Sequence, residues 1–170
     1  KTGLVLTGGG ARAAYQAGVM HAIARILDDA GRPSLRSPFD IICGTSAGVL
    51  NATALACRAD NFAEGVQKLL DVWQNVAAEQ VYRADSLAVL RSGARWLTML
   101  SLGWALRRWR RSDPRSLLDN APLTELLSQV VAFDRLPGLL EDGHISALAV
   151  TASSYSSGQH VTFCQTAQPF

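Results

Sequence analysis

The sequence predicts an α/β domain, a mainly parallel sheet with helices on its faces, and three observations lead there. Two compact strand–helix units follow one another in the first sixty residues. Each strand ends in a glycine-bearing turn that opens directly into a helix, and two uncharged β-prone runs lie near the end of the chain. At 170 residues, 48% hydrophobic and 18% charged, the chain can bury roughly two-thirds of its unfolded surface in one core, without disulfides or metal. The 14 Gly and 6 Pro are too few for a collagen-like or linker chain, and the hydrophobic share excludes disorder.

The first strand is the apolar run at residues 3–7, which ends in Gly8, Gly9 and Gly10. Tyr15, Val19, Ile23, Ile26 and Leu27 then recur at helical spacing from Ala11 to about Ala30, where Gly31 stops the pattern. Pro38 precedes a second apolar run at 39–43, a second helix runs from Ser46 towards Cys57, and a third from Asn61 to about Val76. Its apolar face holds Phe62, Val66, Leu69, Leu70 and Trp73. Residues 84–115 interleave Leu and Trp with Arg and read as one or two helices inserted between core elements. Asp119 or Asn120 can cap a helix over 119–131, with Pro122 in its first turn. From residue 143 onward there is no Asp, Glu, Lys or Arg; residues 145–152 and 160–164, joined through Ser156-Ser157-Gly158, read as strands.

The net charge of +2 is unevenly divided. Residues 91–115 hold seven arginines and one acid, Asp113, a local +6, while the rest holds 9 basic and 13 acidic groups, or −4. Trp96, Trp104 and Trp109 beside Arg107, Arg108, Arg110 and Arg111 fit either a lid whose tryptophans pack on the domain or a helix that docks peripherally on anionic lipid. No nucleic-acid-binding motif accompanies these arginines. Cys43, Cys57 and Cys164 show no CxxC spacing and read as buried, reduced thiols of a cytoplasmic protein. The longest uncharged stretch of helical, aromatic character, residues 96–106, is far below the ~20 residues that span a bilayer. The chain begins at Lys1 and ends in an apolar stretch at Phe170, and is expected to be a piece of a longer protein.

Two motifs carry chemistry. Gly44-Thr45-Ser46-Ala47-Gly48 joins a strand to a helix. A nucleophilic serine needs such a tight turn to project its oxygen, with glycines two before and two after because side chains there would collide. The helix that follows aims free N–H groups at developing negative charge. Gly8, Gly9 and Gly10 ahead of Ala11-Arg12 expose backbone N–H groups that suit an oxyanion or a phosphate. Gly8, Gly10 and Ala13 also fit a dinucleotide fingerprint, which calls for an acid at the end of the second strand. Asp28 and Asp29 have the distance but lie in a helical tail. Both loops sit at the carboxyl ends of parallel strands, so they can face one another across one edge of the sheet as nucleophile and oxyanion donor.

With those residues in view, the chain resembles the bacterial-type patatin-like phospholipase family. The likeness rests on residues 6–19, which include Gly8-Gly9-Gly10-Ala11-Arg12, on Gly44-Thr45-Ser46-Ala47-Gly48, and on the weaker Ser116-Leu117-Leu118-Asp119-Asn120-Ala121-Pro122-Leu123. Thr151-Ala152 and residues 158–163 look like the family's third-strand region. The resemblance implies a three-layer α/β/α fold with a mainly parallel sheet. It also implies hydrolysis of fatty-acyl esters, including phospholipids, by a Ser–Asp dyad without histidine, and no cofactor or metal. By position Ser46 is then the nucleophile, Gly44, Thr45, Ala47 and Gly48 its elbow, and Gly8, Gly9, Gly10 and Arg12 the oxyanion loop. The chain departs from the pattern at Ala13, where the family usually has Gly. The family's Asp-Gly-Gly or Asp-Gly-Ala motif is absent from the 170 residues. Asp142-Gly143 reads as a turn, so the dyad Asp is expected in sequence outside this segment, which alone would be inactive. A triad of Ser46, Asp119 and either His160 or His144 is the competing arrangement, and His21 is the one other histidine.

Overall fold

The structure, a computed structural model, describes residues 1–32, 36–75, 127–128, 131–154 and 157–167. β1 (Gly3–Leu6) leads through a 3₁₀ turn (Gly10–Arg12) into α1 (Ala13–Asp29), and β2 (Ile41–Thr45) leads into α2 (Ala47–Ala56), followed by α3 (Phe62–Asn75). A second 3₁₀ turn (Phe133–Arg135) and the short α4 (Leu136–Glu141) precede β3 (Ala147–Ser153) and β4 (His160–Thr166). The strands form one sheet in the order β1-β2-β3-β4; β1, β2 and β3 are parallel and β4 is antiparallel to β3. The mainly parallel α/β sheet is therefore present as the sequence predicts. The 84–115 segment lies outside the described residues, as does the 119–131 helix except at 127, 128 and 131.

Local chemistry sets the element ends. α1 closes in a Schellman motif: Arg32 N–H donates to Leu27 O (2.9 Å) and Gly31 N–H to Asp28 O (2.9 Å), with Gly31 at φ 67°. Asn61 caps α3 by accepting the Glu64 N–H at 3.2 Å, and its own amide donates back to Glu64 at 3.3 Å. β2 starts at Ile41, not at Phe39 as the apolar run suggests. Ser37 and Phe39 close a local turn through the Ser37 hydroxyl, and the Phe39 ring packs edge-on against Phe62 at 5.9 Å. α4, with Pro137 in its first turn, is an element the sequence pattern does not announce.

α2 lies directly on the sheet, against all three parallel strands, and α1 and α3 pack on it and on each other. Ile42, Leu55, Phe62, Val66, Leu69 and Ile145 are under 2% exposed and form the core; each such side chain contributes about 1.5–3 kcal/mol by leaving water. The face of α1 differs from the large-residue stripe in the sequence. Ala13, Ala17, Met20 and Ala24 are buried, whereas Tyr15 is 78% and Ile26 65% exposed. Small residues face inward because α1 packs close to its neighbours. The cysteines also divide: all three are free, but Cys57 alone is buried, Cys43 is half-buried and Cys164 exposed. Cys164 lies on β4, a sheet-edge strand that is mostly exposed.

Candidate active site

Ser46 follows Thr45, the last residue of β2, and caps α2 with φ 53° and ψ −127°. It is the one non-glycine residue with positive φ among those described, and such backbone costs of order 1–3 kcal/mol. That strained turn from strand to helix is what lifts a serine oxygen clear of the fold, and Ser46 is exposed. The amino end of α2 begins one residue later, so its partial positive charge lies beside the hydroxyl.

The flanking glycines are required by contact. A Cβ on Gly44 would sit 2.7 Å from Ala52 Cβ and 2.7 Å from Gly48 O; one on Gly48 would run into Leu6 O and lie 2.7 Å from Thr7 O. The elbow is thus wedged between α2 and the end of β1. A Cβ on Gly8 would come 2.9 Å from Ser46 Cβ and 3.4 Å from its Oγ, so the glycine loop lies against the serine. Gly10 turns the chain at φ 57° into the 3₁₀ turn, closed by Arg12 N–H donating to Gly9 O at 3.2 Å, and Arg12 is exposed. The structure therefore brings the two glycine motifs together.

A line of side-chain hydrogen bonds runs behind this pair. Trp73 Nε1–H donates to Asn51 Oδ1 (2.8 Å). Asn51 Nδ2 donates to Ala13 O (3.0 Å) and Gln16 Oε1 (2.8 Å), and Gln16 Nε2 to Thr7 O (2.8 Å). Sequence reasoning gave none of these residues a role at the site: it placed Trp73 only on the apolar face of α3, and Asn51, 0% exposed, is one of two polar residues buried in α2 beside Thr53.

Strand direction sorts the remaining candidates. Ser46 lies at the carboxyl edge of the sheet, and β3 is parallel to β2 with Ile41 beside Ala147 and Thr45 beside Thr151. Asp142 and His144 precede β3 and so lie at the amino edge, a strand length of about 13 Å away. Asp142 closes α4 as a turn, as the sequence suggests, and His144 is not placed for a triad with Ser46. His160 is at the carboxyl edge, but on β4, two strands or about 10 Å across from β2, where Nδ1 is 3.5 Å from Ser153 Oγ. Asp119 lies outside the described residues. Asp28 and Asp29 are in the last turn of α1, a helix length from the glycine loop, and β2 ends in the serine turn instead of the acid a dinucleotide fingerprint needs. Asp40 sits in the bend before β2, and its carboxylate accepts the Thr2 N–H at 2.6 Å. Among the described residues no group of three or more His, Cys, Asp or Glu is placed to hold a metal, and no helix is long and apolar enough to cross a membrane.

Residues 4–166, nearly the whole chain, match the sequence model of the family described as "Patatin-like phospholipase". No curated protein and no solved structure matches the chain. The match carries a lipid-acyl hydrolase activity of that general type, and an α/β/α architecture with which the mixed sheet and its flanking helices accord.

Proposed function

The chain belongs to the patatin-like phospholipase family, and on that premise we propose that it is a serine hydrolase of fatty-acyl esters, of phospholipase A or lysophospholipase type, with Ser46 as nucleophile. The observation that carries this reading is the strained, exposed Ser46 with Gly8 packed against it. Ser46 Oγ attacks the ester carbonyl while its proton passes to an Asp carboxylate, which this reading places outside residues 1–170. The carbonyl becomes an oxyanion held by backbone N–H groups of Gly8, Gly9 and Gly10, with Arg12 beside them and the amino end of α2 below. The tetrahedral intermediate expels the alcohol, which takes up the proton from the Asp, and leaves an acyl-serine. Water, deprotonated by the same carboxylate, then releases the fatty acid and restores Ser46. One oxyanion donor of this kind is worth about 10²–10³ in rate.

The same reading gives residues 84–115 the role of a Trp/Arg lid or lipid-docking element, in a cytoplasmic protein that meets the membrane surface peripherally. A fluorophosphonate should label the full-length protein and release of fatty acid from phospholipid or lysophospholipid should follow, both lost in Ser46→Ala. Undiminished labelling of Ser46→Ala would remove Ser46 from the mechanism.

A further inference from the structure

The hydrogen-bond line behind the glycine loop has only one consistent polarity. Trp Nε1–H is a donor with no acceptor capacity, so the atom of Asn51 that faces Trp73 must be its oxygen. The Asn51 amide nitrogen then faces Ala13 O, which can only accept, and the oxygen of Gln16. Gln16 therefore has its nitrogen left for Thr7 O, as found at 2.8 Å. Each of the two carboxamides has its orientation fixed by its neighbours. Asn51 is 0% exposed, so its polar atoms must be paired within the protein, and here they are.

The end of that line matters because of peptide geometry. The Thr7–Gly8 peptide is trans and planar, so the Thr7 carbonyl and the Gly8 N–H point in opposite directions. Whatever holds the carbonyl also aims the N–H. Three glycines in succession have no side chains of their own to restrain them, so this restraint has to come from elsewhere. Gln16, one turn into α1, supplies it from the opposite side of Thr7.

We propose that Gln16, itself oriented by Asn51, is a positioning residue for acyl transfer: by holding Thr7 O it fixes the Gly8 N–H for the oxyanion formed at Ser46. The proposal rests on the reading of Ser46 and the glycine loop given above. Gln16 touches no reacting atom, and its effect is on the fraction of time the donor is aimed.

The test uses the full-length protein with a short-chain p-nitrophenyl ester and a trifluoromethyl ketone, which forms an anionic adduct with the serine. Gln16→Met keeps the length and loses both hydrogen bonds; Gln16→Glu keeps the acceptor for Asn51 and loses the donor for Thr7. Both variants should lower kcat by about 10–100-fold and weaken the ketone by the same factor. KM should stay within about twofold, and a cooperative thermal transition in both variants shows that the fold is kept. Ser46-dependent hydrolysis with kcat unchanged in both variants overturns the positioning role while leaving the reading of Ser46 intact. So does a kcat loss that the ketone affinity does not follow. A wild-type protein that does not hydrolyse the ester, or a Ser46→Ala variant as active as wild type, overturns the underlying reading and the proposal with it.

Discussion

Gly8→Ala perturbs the one place where the two motifs touch. The new methyl would lie 2.9 Å from Ser46 Cβ and 3.4 Å from both Ser46 Oγ and Thr45 O. Carbon atoms rest comfortably at about 3.5–4.0 Å, so loop and elbow must part by about 0.6–1 Å. Thr45 O and Ser46 Cβ belong to a strained turn pinned by α2, so the glycine loop is the side that moves. Overpacking of this kind costs about 1–3 kcal/mol of stability. A displacement near 1 Å between nucleophile and donors costs about 10²-fold in rate, equivalent to about 2.7 kcal/mol of barrier. The assay is the rate of serine acylation in the full-length protein, read from the p-nitrophenol burst, with Tm measured alongside. The expected outcome is a folded variant, a few degrees less stable, whose acylation is about a hundredfold slower. Gly10→Ala is the internal comparison: its Cβ meets nothing within 4 Å, but φ 57° strains the backbone, so it should lose about 1–2 kcal/mol without the steric displacement. Acylation within threefold of wild type in Gly8→Ala would refute the argument that the two loops form one site.

Other expectations concern stability and reactivity. Ser46→Gly should be more stable than Ser46→Ala by about 1 kcal/mol, because glycine accepts φ 53° and alanine keeps the strain; urea unfolding that ranks them equal removes the strain. Gly18, exposed within α1 and with open space where its Cβ would be, should gain about 0.5–1 kcal/mol on substitution by Ala, read as a higher urea midpoint; a lower one contradicts the open space. Exposed Cys164 should react with a thiol reagent in the folded protein and buried Cys57 should not; modification of both at one rate goes against this. Burial pushes the Cys57 thiol from 9.0 up to about 11, so above pH 9 the unfolded chain gives up a proton that the folded chain keeps. That stabilisation is complete below pH 9 and is lost as pH rises towards 11. Cys57→Ala should flatten this part of the pH profile, and an unaltered slope would count against it.

The parts of this site that the sequence made legible are those where chemistry dictates residue types at fixed spacing. Gly44 and Gly48 flank Ser46 because Ala52, Leu6 and Thr7 leave no room for a Cβ, and such exclusion leaves a pattern in the chain. Hydrophobic spacing likewise located α1 and α3, whereas α2, buried almost all round, was located by the glycine turn that opens it. It failed on which side of α1 is buried, because close packing selects Ala13, Ala17 and Ala24 over the larger Tyr15 and Ile26, and alanine carries little periodic signal. Asn51 and Gln16 were not legible either. Their role depends on partners 22 to 38 residues away for Asn51 and on a carbonyl for Gln16, and a backbone carbonyl leaves no mark on the sequence. The standing of Asp142, His144 and His160 required knowing which edge of the sheet each occupies.

That edge assignment explains why stability and chemistry are separated in this fold. At the amino edge Asp40 ties three strands: its carboxylate takes the Thr2 N–H, its own N–H donates to Thr2 O at 2.8 Å, and its carbonyl accepts Ser146 N–H at 2.6 Å. A carboxylate so engaged stabilises the strand starts and lies at the edge opposite Ser46. At the carboxyl edge the same β1 and β2 end in the glycine loop and in Ser46, where positive φ and missing side chains hold two backbones against each other. Parallel pairing forces this arrangement, because it sends all strand ends of one polarity to one side. Under the mechanism proposed above, the base for Ser46 therefore approaches from the carboxyl edge. Asp40 and Asp142 are excluded by position, whatever their chemistry, and a carboxylate that serves Ser46 has to come from an element ending on that side.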